Sequence, residues 1–194
     1  MTATWRATQK ANRRASLMRS AAALFAARGF AAVSTVELGE AVGMSGPALY
    51  NYFPSKEALL AELLVDASER LLEGGQALVA EAGTPDEVLS RLVRFHLDFA
   101  TADPDTIRLQ DRELAQLPAD ANHRVRSLQR QYVQEWDAVL ASVRPDLDAA
   151  ERQTRLLGTF GLLNSTPHSA DSTGDRAAEI LAAMALRALV GPAV

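Results

Sequence analysis

Apolar positions along the chain recur at intervals of three and four residues, the spacing that lines up side chains on one face of an α-helix. Leu17, Ala21, Leu24 and Phe25 form such a stripe and predict a first helix from about Lys10 to Arg28, stopped at Gly29. Ser34-Thr35-Val36-Glu37 reads as a capping box, in which the Ser hydroxyl takes an orphan amide and the Glu side chain reaches back to the cap. A short second helix follows and ends at Gly43. Ser45 is placed to cap a third, which continues to Phe53-Pro54. Ser55 then opens a long helix carrying Leu59, Leu60, Leu63, Leu64, Ala67 and Leu71, and Gly74-Gly75 reads as its break.

Beyond Gly83, a second capping box (Thr84-Pro85-Asp86-Glu87) begins a helix bearing Val88, Leu89, Leu92, Val93, Phe95, His96 and Phe99. Asp103-Pro104 starts another that ends near Leu117-Pro118. A longer one spans about Ala121 to Val143 and buries Val125, Leu128, Tyr132, Trp136, Val139 and Leu140. Asp148 to Glu151 caps a further helix through Leu163, and the last runs from about Asp175 to Leu189, after the polar segment Asn164 to Gly174. No alternating β-branched run is closed by a hairpin turn. The expectation is an all-α protein of about nine helices, divided near residues 54–57 into segments 1–55 and 56–194.

Composition narrows the function classes. With 48% hydrophobic and 23% charged residues the chain can bury a core and is not polar enough for disorder. It has no Cys, which excludes disulfides, thiolate zinc sites and cysteine nucleophiles and points to a cytoplasmic protein. No apolar run approaches the roughly 18 residues needed to span a bilayer. The three histidines, His96, His123 and His168, lack metal-binding spacing, and no phosphate loop, dinucleotide fingerprint or nucleophile elbow is present. Neither an enzyme nor a metal or cofactor is expected.

Charge is unevenly placed. The formal net charge of −4 disfavours a nucleic-acid partner only until it is divided. Residues 1–56 hold seven basic side chains against two acidic ones, a net of +5, and the remainder holds 13 against 22, a net of −9. The basic part contains the two short helices joined at Gly43-Met44-Ser45, the spacing of a helix-turn-helix. At 100° per residue Leu49 and Phe53 point inward and Pro47 and Asn51 outward, with Ala48, Tyr50 and Tyr52 on the flanks. Such a face can approach DNA closely, offering amide and phenol groups to bases or phosphates. Lys56 follows where a cation suits a phosphate. A helical protein-interaction module without DNA binding is the alternative, although it would have little use for so basic a first fifty residues.

The residues also resemble a known family. Ala-Leu-Phe-Ala-Ala-Arg-Gly-Phe at 23–30, Ser34-Thr35-Val36, Ala41-Val42-Gly43-Met44-Ser45, and the tract from Ala48-Leu49-Tyr50-Asn51-Tyr52-Phe53 through Pro54-Ser55-Lys56 to Leu60 resemble the DNA-binding domain of TetR-family transcriptional repressors. The resemblance implies a homodimer with a DNA-binding domain over 1–55, a ligand-binding and dimerisation domain over 56–194, and release of operator DNA when a small hydrophobic effector binds. It implies phosphate contacts at Thr35, Tyr50, Tyr52 and Lys56, and base-edge contact from Ser45, Gly46, Pro47, Ala48 and Asn51. Gly46 and Pro47 stand where many relatives place Lys or Arg, and Asn51 where His is common. Apolar and adenine or thymine readout is therefore expected, with an arm contribution from Arg6, Lys10, Arg13 or Arg14.

The resemblance assigns dimerisation to the last two helices. Leu156, Leu157, Phe160, Leu162 and Leu163 leave apolar surface there, and Ala178, Ala182, Ala183, Ala185 and Ala188 let a partner helix approach. Phe95, Phe99, Leu109, Tyr132, Trp136 and Phe160 are candidates for an effector pocket, or else plain core, and His96 on the same helix as Phe95 and Phe99 reads as a satisfied core histidine. Arg112, with Arg108, could hold an anion, although Asp105, Asp111 and Glu113 nearby suit surface ion pairs. The tract Leu162 to Ser169, with Asn164 and His168, resembles that of regulators placed beside acyl-CoA and lipid-degradation enzymes. An acyl thioester or other hydrophobic carboxylate is the effector this implies.

Overall fold

A computed structural model describes residues 2–166 and 175–192. The described residues form α-helices and two short 3-10 helices, with no strand among them: α1 (Thr2–Arg28), α2 (Thr35–Glu40), a 3-10 helix (Gly46–Asn51), α3 (Lys56–Ala80), α4 (Pro85–Ala102), α5 (Pro104–Arg112), a 3-10 turn (Leu114–Gln116), α6 (Ala119–Val143), α7 (Ala149–Leu163) and α8 (Asp175–Val190). They gather into two compact units, Met1–Asp66 with Arg108–Arg124, and Ala67–Ile107 with Val125–Val194.

Local chemistry accounts for most helix ends. At α2 the Ser34 Oγ accepts the Glu37 N–H (3.2 Å) and the Glu37 carboxylate accepts the Ser34 N–H (2.8 Å). Thr84 and Glu87 repeat this reciprocal cap on α4, and the Asp148 carboxylate accepts the Glu151 N–H (2.8 Å) at α7. Gly29, at φ 83°, ends α1, and Gly43, at φ 67°, makes the turn after α2.

In the first unit Leu17, Ala21, Phe25, Leu38, Leu49, Phe53, Leu59 and Leu60 are buried. The Phe25 and Phe30 rings meet edge-on at 5.2 Å. In the second unit α7 and α8 pack together and against α4. Leu89, Leu92, Val93, Trp136, Leu140, Leu156, Leu163 and Leu189 fill that core.

Several boundaries differ from the sequence expectation. The first helix begins at Thr2, not near Lys10. No Gly, Pro or Asp interrupts residues 2–9, so the helix propagates, and because residues 7–13 are exposed it carries no apolar stripe to announce itself. The helix expected from Ser45 to Phe53 is a 3-10 helix closing at Asn51, and the Ser45 side chain makes no cap hydrogen bond. Gly74-Gly75 is no break, since α3 continues to Ala80. A Cβ at Gly74 would stand 2.2 Å from the Phe95 ring and one at Gly75 2.6 Å from the Tyr132 ring. These glycines make room for aromatic rings to lie on the helix backbone. The helix from Asp103-Pro104 stops at Arg112, where Glu113 turns inward.

Candidate functional site

The two short helices of the first unit are held by close backbone approach. The Gly39 carbonyl accepts the Val42 and Met44 N–H groups (3.0 and 2.8 Å), and a Cβ on Gly39 would lie 2.8 Å from the Met44 carbonyl oxygen. Gly46 is buried, with Val36 Cα only 3.2 Å from where its Cβ would be. Gly46 therefore sets the crossing distance of the two helices. Gly39 was not singled out from sequence. A glycine one turn before Gly43 gave no local sign that a carbonyl would crowd it.

A 3-10 helix turns three residues at a time, so residues i and i+3 eclipse. Gly46 and Leu49 lie inward, and Pro47 and Tyr50 share the outward face, Tyr50 at 54% exposure. Asn51 is exposed beside them, while Ala48 and Tyr52 are half-buried and Ser45 is exposed at the turn. The 100° projection had put Tyr50 on a flank. Thr35 is the first residue of α2, half-buried.

Lys56 sits deeper than its position suggested. Its Nζ donates to the Phe30 and Val33 carbonyls, each at 2.9 Å, and lies 4.3 Å from the centre of the Phe30 ring. Two of its three N–H donors thus tie the start of α3 to the loop between α1 and α2. Glu37 is held similarly. The Ser34 amide, then the Arg28 guanidinium and the Ser34 hydroxyl, bring its carboxyl to about 2, well below the usual carboxylate range. In the same unit Glu113 accepts the Phe30 N–H (3.2 Å) and Arg112 donates to the Ala26 carbonyl (3.3 Å), so the segment around Arg112 grips the end of α1.

Of the arm cations, Arg13 donates to the Val42 carbonyl (2.9 Å), and Arg14 pairs with Glu62 and lies over the Phe53 ring. Lys10 is exposed, and the Arg6 side chain lies outside the described residues.

The second unit gathers some of the pocket candidates and not others. Tyr132, Trp136 and Phe160 pack ring to ring, Trp136 to Phe160 at 4.9 Å, around His96. The His96 Nε2 donates to the Asn164 Oδ1 (3.0 Å), which can only accept, and its Nδ1 accepts the Tyr132 hydroxyl (3.4 Å). Burial pushes His96 down to about 4 and Tyr132 upward, so both are neutral. Beside this relay the Thr159 hydroxyl is buried without a hydrogen-bond partner. Phe95 lies against Gly74, and Phe99 under Arg70 at 5.0 Å. Leu109 and Arg112 belong to the first unit, and His168 lies outside the described residues. His96 is thus the satisfied core histidine that its place on an aromatic helix face suggests, whereas nothing in the sequence marks Thr159, because burial is not written in spacing. No cluster of three metal-ligating side chains occurs among the described residues.

The chain matches known proteins along most of its length. Residues 17–63 match the model of bacterial regulatory proteins, tetR family, and residues 82–191 that of the tetracyclin repressor-like C-terminal domain. The HTH-type transcriptional repressor KstR2 of Mycolicibacterium smegmatis is 30% identical over 149 residues, 73% of this chain and 72% of its own. The HTH-type regulator YdgC of Bacillus subtilis is 36% identical over 77 residues, and the match spans 40% of each chain. A TetR-family regulator from Bordetella parapertussis superposes with a TM-score of 0.83 at 25% identity, covering 92% of this chain and 94% of its own. FadR of Bacillus subtilis, solved in complex with stearoyl-CoA, shares the fold at a TM-score of 0.73 and 17% identity, covering 92% and 98%.

Proposed function

Because the chain belongs to the TetR family of bacterial regulatory proteins, DNA-binding transcription regulators and not enzymes, we propose that it is a ligand-responsive repressor that binds operator DNA as a homodimer and leaves it when a small hydrophobic effector binds. In this reading residues 1–55 bind DNA and residues 56–194 sense and dimerise. The observation that carries it is the outward face of Pro47, Tyr50 and Asn51 on a helix pair drawn close by Gly39 and Gly46. Ser45, Pro47, Ala48 and Asn51 are assigned to base edges, with Gly46 acting by clearance. Thr35, Tyr50, Tyr52 and the remaining N–H of Lys56 are assigned to phosphates.

Dimerisation is assigned to α7 and α8, where Leu157, Ile180 and Met184 are exposed at 56%, 45% and 46%. Large apolar side chains grouped on two neighbouring helices suit a four-helix interface. For the effector we favour an acyl thioester. The buried Thr159 hydroxyl, without a hydrogen-bond partner, would donate to an acceptor oxygen such as a thioester carbonyl, and no cation in the aromatic cluster would offset a buried carboxylate. FadR, with stearoyl-CoA bound, supports the idea by its fold alone. We place the protein in the cytoplasm, where its proposed operator DNA lies; no described helix is long and apolar enough to cross a membrane.

The deciding experiment is a mobility shift with the DNA flanking this protein's own gene. Tyr50→Ala and Asn51→Ala should each weaken specific binding about tenfold with helicity retained. Undiminished binding by both removes the assigned face. Lys56→Ala serves less well, since it also releases the Phe30 and Val33 carbonyls. A thermal-shift panel tests the effector: a ligand at a hundred times its Kd stabilises the fold by about 2.7 kcal/mol, and no shift with any acyl-CoA retires that class.

A further inference from the structure

The first turns of α1 raise a question that the helix-turn-helix leaves unanswered. Trp5 is 65% exposed, the most exposed large apolar side chain described. It stands on a helix that contains no Asp or Glu from Thr2 to Arg28. With Gln9, Lys10 and Arg13 of α1 and Asn51 and Tyr52 at the end of the 3-10 helix, it lines a groove of about 460 Å³ within the first unit. No acidic side chain lines it. The Arg13 bond to the Val42 carbonyl ties one wall to the helix-turn-helix, and Arg14 is committed to Glu62 and Phe53. The groove therefore offers a flat apolar plate with one N–H donor, two cations, two amides and a phenol.

That mixture suits one occupant. A sugar-phosphate strand presents a deoxyribose edge to lie on the indole and anionic oxygens for Lys10, Arg13 and the Tyr52 hydroxyl. Indole and phenol side chains contribute most at interfaces where one end is buried and the other hydrogen-bonded. Asn51 and Tyr52 belong to the groove and to the assigned reading surface alike, so DNA laid on Asn51 reaches the groove without a gap. We infer that the groove is a second DNA contact, seating the duplex backbone beside the reading helix with Trp5 as its anchor. This inference rests on the operator-binding reading above.

The protein reports on itself here, for it has two tryptophans and Trp136 is fully buried, so the emission that neutral acrylamide quenches is that of Trp5. In the full-length protein, the duplex selected by mobility shift should shield Trp5 from the quencher. Trp5→Ala should weaken binding about tenfold, Trp5→Phe should restore most of it, and Lys10→Ala should lower the salt slope by about one per subunit. If Trp5→Ala binds that duplex with unchanged affinity and the indole stays as quenchable in the complex as free, the groove is not a DNA contact and the repressor reading stands. Shielding without DNA that grows with protein concentration would give the groove to a second copy and overturn the inference. A wild-type protein that shifts no duplex would remove both readings.

Discussion

His96 is neutral because of where it is packed. Tyr132, Trp136 and Phe160 surround it, and its two nitrogens are spent on Asn164 and Tyr132. Its value of about 4, against 6.5 in the open chain, means that the unfolded state takes up a proton first. The stability it contributes is complete above pH 6.5 and falls as pH drops toward 4, by about 3 kcal/mol in all. Urea midpoints measured at pH 7 and pH 4.5 should differ accordingly, and His96→Gln should flatten the dependence in that window. An unchanged slope would mean that the buried relay does not exist in solution. The core place of His96 was legible in the sequence, but its partners were not. Trp5 and Trp136 are the same residue type, one exposed and one fully buried, and Lys56 finds its carbonyl partners 26 and 23 residues away.

Helix starts were the most legible elements, because a capping box closes within three residues: the partners of Ser34 and Thr84 are the ones their spacing announces. Interior glycines were misread because their reason lies across the core. Gly74→Ala makes the point testable. Helix propensity alone favours Ala by about 1 kcal/mol, whereas the Phe95 ring stands where the methyl would go. The variant should unfold at lower urea, losing about 1 to 3 kcal/mol, and a gain in stability would show that the ring moves aside freely. The 3-10 character of Gly46–Asn51 was equally out of reach. Six residues with Pro near the start satisfy an α or a 3-10 pattern, and packing of Gly46 on Val36 accompanies the tighter winding.

For the molecule as a whole, the exposed Leu157, Ile180 and Met184 make the assembly prediction sharp. Leu157→Glu with Met184→Glu should convert the proposed dimer to monomers by sedimentation at micromolar concentration and abolish operator binding, because two half-sites need two heads. A wild-type protein that sediments as a monomer would defeat it. The division of charge into a +5 segment and a −9 remainder was open to simple counting. By itself the sequence determined the helical class, the caps, the basic head and the inward Leu49 and Phe53, since each depends on periodicity, composition or neighbours within a turn. The tertiary structure alone decided that Tyr50 shares the outer face with Pro47, that Lys56 is a clasp, that His96 is a neutral relay and that Trp5 borders a basic groove. Each of these depends on atoms brought together from distant parts of the chain, and that closeness is a product of packing that no local pattern encodes.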